Sequence, residues 1–212
     1  MPSDREFWTQ VWNEGRTGFQ MSAPHPALVK HAPALFSNAG SVFVPLCGRS
    51  PDVLWLRAQG WHTVGVEIVE SAVVGLFQDA DTVPRRNRTK NQAEVFSSQG
   101  LDVYLGDFFE LTPLDTGDFE VIYDRAAMIA LPSSRRADYV RHLTRFFGNS
   151  SGTVLLISLD HDGGISFGPP YSLPEAEVRA HFADFQVEIL ESQSVIDESP
   201  RMRERGLKRV DE

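Results

Sequence analysis

The apolar run Ser41–Val44 leads into a turn reading PLCGRS, and an acid, Glu67, ends a second β-rich run nineteen residues after Gly48. A dinucleotide fingerprint needs Gly-x-Gly-x-x-Gly so that backbone N–H groups can approach a pyrophosphate, and a P-loop needs Gly-Lys-Ser/Thr. PLCGRS has only Gly48 and satisfies neither. One glycine still lets the backbone pass close to a nucleoside. A carboxylate at the end of the next strand can accept hydrogen bonds from both ribose hydroxyls. A ribose without a pyrophosphate cradle points to S-adenosylmethionine rather than NAD. The plain alternative for Glu67 is a solvent-facing acid at a strand end.

Other reactive side chains are weaker candidates. Cys47 would need a base and an electropositive setting to act as a nucleophile, and no histidine pattern supplies them. It reads as a small buried hydrophobe. The histidines (25, 31, 62, 142, 161 and 181) lack zinc-like spacing, so no metal is expected. Asp107 and Phe108 in GDFFEL can face and stack on a purine, or can be a turn acid followed by a core aromatic. Asp124 and Arg125 in YDRAAMIALP can reach a cleft, or can form a structural ion pair.

These residues need strand ends to hold them. REFWTQVWNEG (5–15) has Phe7, Trp8, Val11 and Trp12 on one helical face, stopped by Gly15. PALVKHAPALF (26–36) reads as a helix interrupted by proline. Strands are expected at SVFVPL (41–46), HTVGVEI (62–68), LDVYLGD (101–107), DFEVIYD (118–124) and GTVLLISLD (152–160). FQVEILES (185–192) alternates as a half-exposed strand. Helices are expected at 51–60, 70–79, 133–148 and 173–184, and a polar, basic stretch, Pro84–Gln92, follows the second of these. Alternation of strand and helix predicts a doubly wound, Rossmann-like α/β fold with apolar central strands. In such folds ligands bind beyond the carboxyl ends of the strands. Those ends carry Leu46–Arg49, Glu67, Gly106–Phe109, Tyr123–Ala127 and Leu159–His161.

Composition narrows the function. The chain has 212 residues, 42% of them hydrophobic, enough for a self-sufficient core. Its 20 Lys and Arg against 29 Asp and Glu leave a net charge of −9, which argues against a nucleic-acid partner. One cysteine excludes an internal disulfide, the N-terminus MPSDREFWTQ lacks the apolar core of a signal peptide, and no apolar run is long enough for a membrane span. A soluble, cytoplasmic monomer acting on a small molecule is the expectation.

The segments FWTQVWNEGRTGF (7–19), HPALVKH (25–31), VFVPLCGRSPDVLWL (42–56), VGVE (64–67), GDFFEL (106–111), YDRAAMIALP (123–132) and GPPYSLPEAEV (168–178) occur in one order. Together they resemble the thiopurine S-methyltransferase family, especially its bacterial members, from Phe7 to about Gly206. The resemblance implies a class I methyltransferase sheet, mostly parallel with an antiparallel last strand. It implies one domain over 1–212, with 1–38 a helical lid and 39–212 the α/β core. S-adenosyl-L-methionine is the implied cofactor and S-adenosyl-L-homocysteine its product. Trp12, Leu46, Glu67 and Arg125 match cofactor-contacting positions, joining the Gly48 read from the turn, Asp107 and Phe108 match the adenine neighbours, and Phe19 a substrate-side aromatic. Pro170 and Tyr171, in the Gly/Pro-rich loop 161–172, are expected near a thiol substrate, with Arg125 and Asp124 as the catalytic pair. Asp124 is expected to orient Arg125.

Three positions depart from the pattern: Gln20 stands where the family has His, Arg49 where it has Lys, and Val69 where it has a capping Ser. The chain ends at RVDE, where the resemblance implies a further strand, so either the sequence is truncated or that edge strand is short. The expected activity is methyl transfer to a thiopurine-like or other aromatic thiol, or to selenium or tellurium compounds. The alternatives are a halide or thiol methyltransferase making volatile products, an NAD-dependent oxidoreductase, and a non-catalytic S-adenosylmethionine-binding module.

Overall fold

The computed structural model describes residues 4–148, 151–164 and 167–212. Helices α1 (Asp4–Asn13) and α2 (Pro26–Leu35) precede β1 (Ser41–Val44), α3 (Pro51–Ala58), β2 (His62–Glu67) and α4 (Glu70–Asp79). Strands β3 (Arg85–Arg88), β4 (Glu94–Ser98) and β5 (Leu101–Leu105) follow, then α5 (Pro113–Thr116), β6 (Val121–Arg125), α6 (Ser133–Leu143) and β7 (Thr153–Ile157). The chain ends with β8 (Asp160–His161), α7 (Glu175–His181), α8 (Pro200–Glu204) and β9 (Val210–Asp211). It divides into two compact units, Met1–Tyr123 with Arg145–Leu155, and Asp124–Thr144 with Leu156–Glu212.

A seven-stranded sheet runs in the order β3-β4-β5-β2-β1-β6-β7. β1 pairs in parallel with β2 and with β6, and β2 with β5. From β1 the chain fills one side of the sheet and then returns to fill the other, so the turn after β1 stands at the topological switch point. β1 needs no polar face, because Val42 and Phe43 are fully buried. The Phe43 ring stacks on Phe146 at 4.6 Å and on Phe119 at 5.0 Å. Burial of each such ring stabilises the fold by about 1.5–3 kcal/mol.

α3 starts where local chemistry dictates. The Ser50 hydroxyl accepts from Asp52 N at 3.2 Å, and Pro51 takes the first helical position, where no N–H is needed. Asp52 itself is 1% exposed, and its carboxylate accepts from His25 N at 2.7 Å and from the Tyr123 hydroxyl at 3.0 Å. One buried acid thus ties the start of α2 and the end of β6 to α3.

In the second unit β8 pairs antiparallel with β9. Tyr139, Leu143, Leu173 and Val210 are fully buried there. Arg136 is also buried, with Nε donating to Leu131 O and Nη1 to Ser172 O and Glu177 Oε2.

The mostly parallel sheet matches the expectation, but its details differ from the sequence reading. Pro84–Gln92 is not a plain polar connection: Arg85–Arg88 forms β3, the exposed edge of the sheet, antiparallel to β4. Within this sheet β4 runs antiparallel to both β3 and β5. The last strand, β9, belongs to the separate two-stranded sheet. FQVEILES forms no strand. Its apolar alternation has no ladder to complete among the described residues, and Ile189 and Leu190 are 50% and 40% exposed.

Candidate active site

At the carboxyl end of β1 the chain passes through Leu46 (φ +46°) and Gly48 (φ +54°). A left-handed conformation costs a non-glycine residue about 1–2 kcal/mol. The strain at Leu46 is held in place by Cys47 N donating to Val66 O at 2.9 Å. At Gly48 the need for glycine is doubled, because a Cβ there would stand 3.2 Å from the Trp12 ring and 3.9 Å from the Glu67 carboxylate. Trp12, Gly48 and Glu67 are therefore brought together.

Glu67 ends β2 and is 7% exposed. Its Oε2 accepts from Gly48 N at 3.0 Å and its Oε1 from Val69 N at 2.8 Å. The second bond satisfies a donor that Val69, the uncapped start of α4, leaves open. Burial pushes the carboxyl up to about 7, against the pull of the Val69, Gly48 and Ile68 amides and the Arg5 charge. Arg5 reaches this place from α1, donating to Ile68 O at 2.9 Å. Nothing in the sequence pattern singled it out.

The Cys47 thiol is buried and pushed well up by desolvation and by the Glu67 charge. It is packed against the backbone of Gly65, where a Cβ would come within 2.6 Å of its sulfur. This is a core residue, not a nucleophile. Phe19 meets Trp12 edge-on at 5.7 Å and Trp8 at 6.0 Å, so the aromatic face of α1 and the following turn form one cluster. Two of the departures from the family pattern touch: Gln20 donates to Arg49 O at 2.7 Å, while the Arg49 guanidinium pairs with both oxygens of Asp79.

After β5, Asp107 is half-buried and its carboxylate accepts from Phe109 N at 2.9 Å, closing a turn. Phe108 is 4% exposed and stacks with Phe146 at 6.0 Å and Phe43 at 6.4 Å. The core takes up most of its ring surface. Phe109, half-buried, is the more accessible aromatic at this strand end.

In the second unit, Asp124 is 1% exposed. Its Oδ2 accepts from the Tyr139 hydroxyl at 2.7 Å and its Oδ1 from Met128 N at 3.2 Å. Burial pushes this carboxyl up to about 6 against those bonds. Oδ1 thus holds the turn after β6 and Oδ2 ties it to α6. Arg125 is half-buried, and Ala126 beside it has φ +60°. Strained backbone at a strand end is a common mark of a ligand site. Pro170 and Tyr171 are half-buried, and Tyr171 N donates to Ile129 O at 2.7 Å. Within the expected substrate loop 161–172, Ile165 and Ser166 lie outside the described residues.

Among the described residues no group of three or more His, Cys, Asp or Glu could hold a metal ion, and no helix is long and apolar enough to cross a membrane.

The mostly parallel sheet with its switch point at PLCGRS is a class I methyltransferase fold. A SAM-dependent methyltransferase from Anabaena variabilis has this fold, with a TM-score of 0.62 at 17% identity over 92% of this chain and 86% of that one. The family model for thiopurine S-methyltransferase matches residues 3–212. A thiopurine S-methyltransferase of Xanthomonas campestris pv. campestris is 40% identical over 207 residues, 96% of this chain and 94% of its own. One of Pseudomonas syringae pv. syringae is 37% identical over 209 residues, covering 98% of this chain and 94% of its own. The chain belongs to the thiopurine S-methyltransferase family and is an S-adenosylmethionine-dependent methyltransferase.

Proposed function

We propose that this enzyme methylates a small-molecule thiol, of the thiopurine or other aromatic type. The observation that carries the reading is the Glu67 cradle, where a buried carboxylate accepts from the backbone of a glycine held at positive φ close against the Trp12 ring. That arrangement fits a ribose diol: the acid accepts from hydroxyls while Gly48 lets the nucleoside lie against the backbone. In this reading Trp12, Leu46, Gly48, Glu67 and Asp107 hold S-adenosyl-L-methionine, with Phe109 rather than Phe108 offering an aromatic face. The cofactor supplies a methyl group made electrophilic by its sulfonium.

The protein's own work is positioning and exclusion of water. Arg125 binds an anionic group, either the cofactor carboxylate or an ionised acceptor. Asp124 keeps the turn after β6 in place. Pro170 and Tyr171 present apolar surface to an aromatic acceptor. An aromatic thiol is partly ionised near neutral pH, so the step needs no dedicated base. Residues 1–38 act as a lid on a single catalytic domain, and the protein works as a cytoplasmic monomer.

The test is a panel assay with methyl-labelled cofactor against aromatic thiols, selenite, tellurite and halides. Label transfer to aromatic thiols supports the reading. Transfer to halide alone favours volatile-product chemistry. Cofactor binding without transfer to any acceptor would reduce the protein to a binding module.

A further inference from the structure

His161 ends β8 and is 4% exposed, yet the chemistry proposed above does not use it. Its Nδ1 accepts from Gly163 N at 3.2 Å, and its Nε2 lies 3.2 Å from Pro170 O. An amide N–H only donates and a carbonyl only accepts, so the two bonds together fix the tautomer: Nδ1 is bare and Nε2 carries the proton. The fit around the ring is close. A Cβ at Gly163 would come within 2.9 Å of His161 Nδ1 and 2.8 Å of the Phe167 ring. Phe167 meets the imidazole edge-on at 4.9 Å.

Pro169 and Pro170 have no N–H, so the backbone of this strip can be tied only through its carbonyls. Both are tied. Arg205 donates to Pro169 O at 3.3 Å, and His161 holds Pro170 O. The residues on either side are anchored separately. Tyr171 N donates to Ile129 O, Arg136 donates to Ser172 O, and the Ser172 hydroxyl accepts from His161 N and donates to Asp160 Oδ1 at 2.8 Å. The His161 side chain thus bridges Gly163, at the start of the loop, to Pro170, near its end.

We propose that His161 is a positioning residue for the acceptor pocket: its imidazole, bridging Gly163 and Pro170, sets where Pro170 and Tyr171 stand and so how well the enzyme fits its acceptor. The inference rests on the reading that Pro170 and Tyr171 line the thiol site. It acts through backbone, so it governs acceptor binding rather than the methyl-transfer step.

Three variants of the full-length enzyme test it. His161→Phe removes both bonds, His161→Gln keeps a donor for Pro170 O, and His161→Asn keeps an acceptor for Gly163 N. In His161→Phe the KM for an aromatic thiol should rise on the order of tenfold, while kcat and the cofactor KM change less than about twofold. His161→Gln should recover most of the loss and His161→Asn less. Hydrogen exchange of the peptide spanning 170–173 gives a second readout that needs no substrate. It should quicken in His161→Phe and return in His161→Gln. Unchanged exchange in His161→Phe overturns the proposal. So does quickened exchange with an unchanged thiol KM. If the wild-type enzyme methylates no thiol, the proposed substrate fails by itself, and the exchange result alone decides whether His161 holds the strip.

Discussion

Two buried carboxylates stand at strand ends, Glu67 on β2 and Asp124 on β6, and by most measures they match. They are 7% and 1% exposed, and burial pushes their carboxyls up to about 7 and about 6. They differ in their neighbours. Glu67 is held by backbone amides and flanked by the half-buried Trp12 and by Arg5 on an exposed face of α1. Asp124 is held by the hydroxyl of Tyr139, itself fully buried, and by the amide of Met128. A carboxylate offers about four acceptor positions. Where its donors are backbone and its surroundings open, the remaining positions can serve a ligand. Where a buried side chain closes over it, they serve the fold. Burial and a raised pKa alone do not separate the two cases.

Substitutions can break this comparison, and the largest effect is expected at Asp124. Asp124→Ala removes the buried acceptor of the Tyr139 hydroxyl and of Met128 N–H, at a cost of about 3 kcal/mol in urea denaturation. A variant that keeps its unfolding midpoint but loses activity would move Asp124 from the fold to the chemistry. Glu67→Ala should weaken cofactor binding by about 1.5–3 kcal/mol, besides the folding cost of removing the acceptor of Gly48 N and Val69 N. Titration calorimetry checks this, and unchanged affinity removes Glu67 from the site.

Arg125 sharpens the contrast within β6. Arg125→Lys keeps the charge but loses the planar fork, so kcat/KM should fall on the order of tenfold while the melting temperature of the ligand-free protein barely moves. A large drop in melting temperature with full specific activity would make Arg125 structural. At Gly48, alanine must adopt φ +54° and press on Trp12, so Gly48→Ala should lose about 1 kcal/mol of stability and weaken cofactor binding. An alanine variant with wild-type affinity would show that the close approach is dispensable.

The comparison also extends to pH dependence. An acid whose folded pKa is raised holds its proton more tightly in the folded state. Its contribution is fully present below the unfolded value and is lost as pH rises through the folded one. For Glu67 that window runs from 4.5 to about 7, and for Asp124 from 3.8 to about 6. The stability of wild type relative to Glu67→Gln should therefore fall across the first window, and relative to Asp124→Asn across the second. Urea midpoints taken from pH 4 to 8 read both differences. A rise in either would mean that the charged form is the one the fold favours.

The sequence by itself determined the strands that carry the site and the turn at their switch point. Apolar runs, glycine stops and the single glycine of PLCGRS act locally, and the nineteen-residue step to Glu67 follows from one strand, one turn and one helix. It also marked Trp12, four residues after Trp8, as part of an apolar helical face. Tertiary structure alone decided which way neighbouring side chains turn. Phe108 and Phe109 are adjacent and chemically identical, but Phe108 goes inward because Phe43 and Phe146, distant in the chain, stack against it. Asp124 and Arg125 are adjacent too, and Tyr139, fifteen residues on, claims the acid. FQVEILES has the alternation of a strand and finds no ladder, while Arg85–Arg88 has no apolar face and becomes one because β4 supplies its hydrogen bonds. Periodicity reports what a segment can bury, and pairing depends on whether another segment arrives beside it.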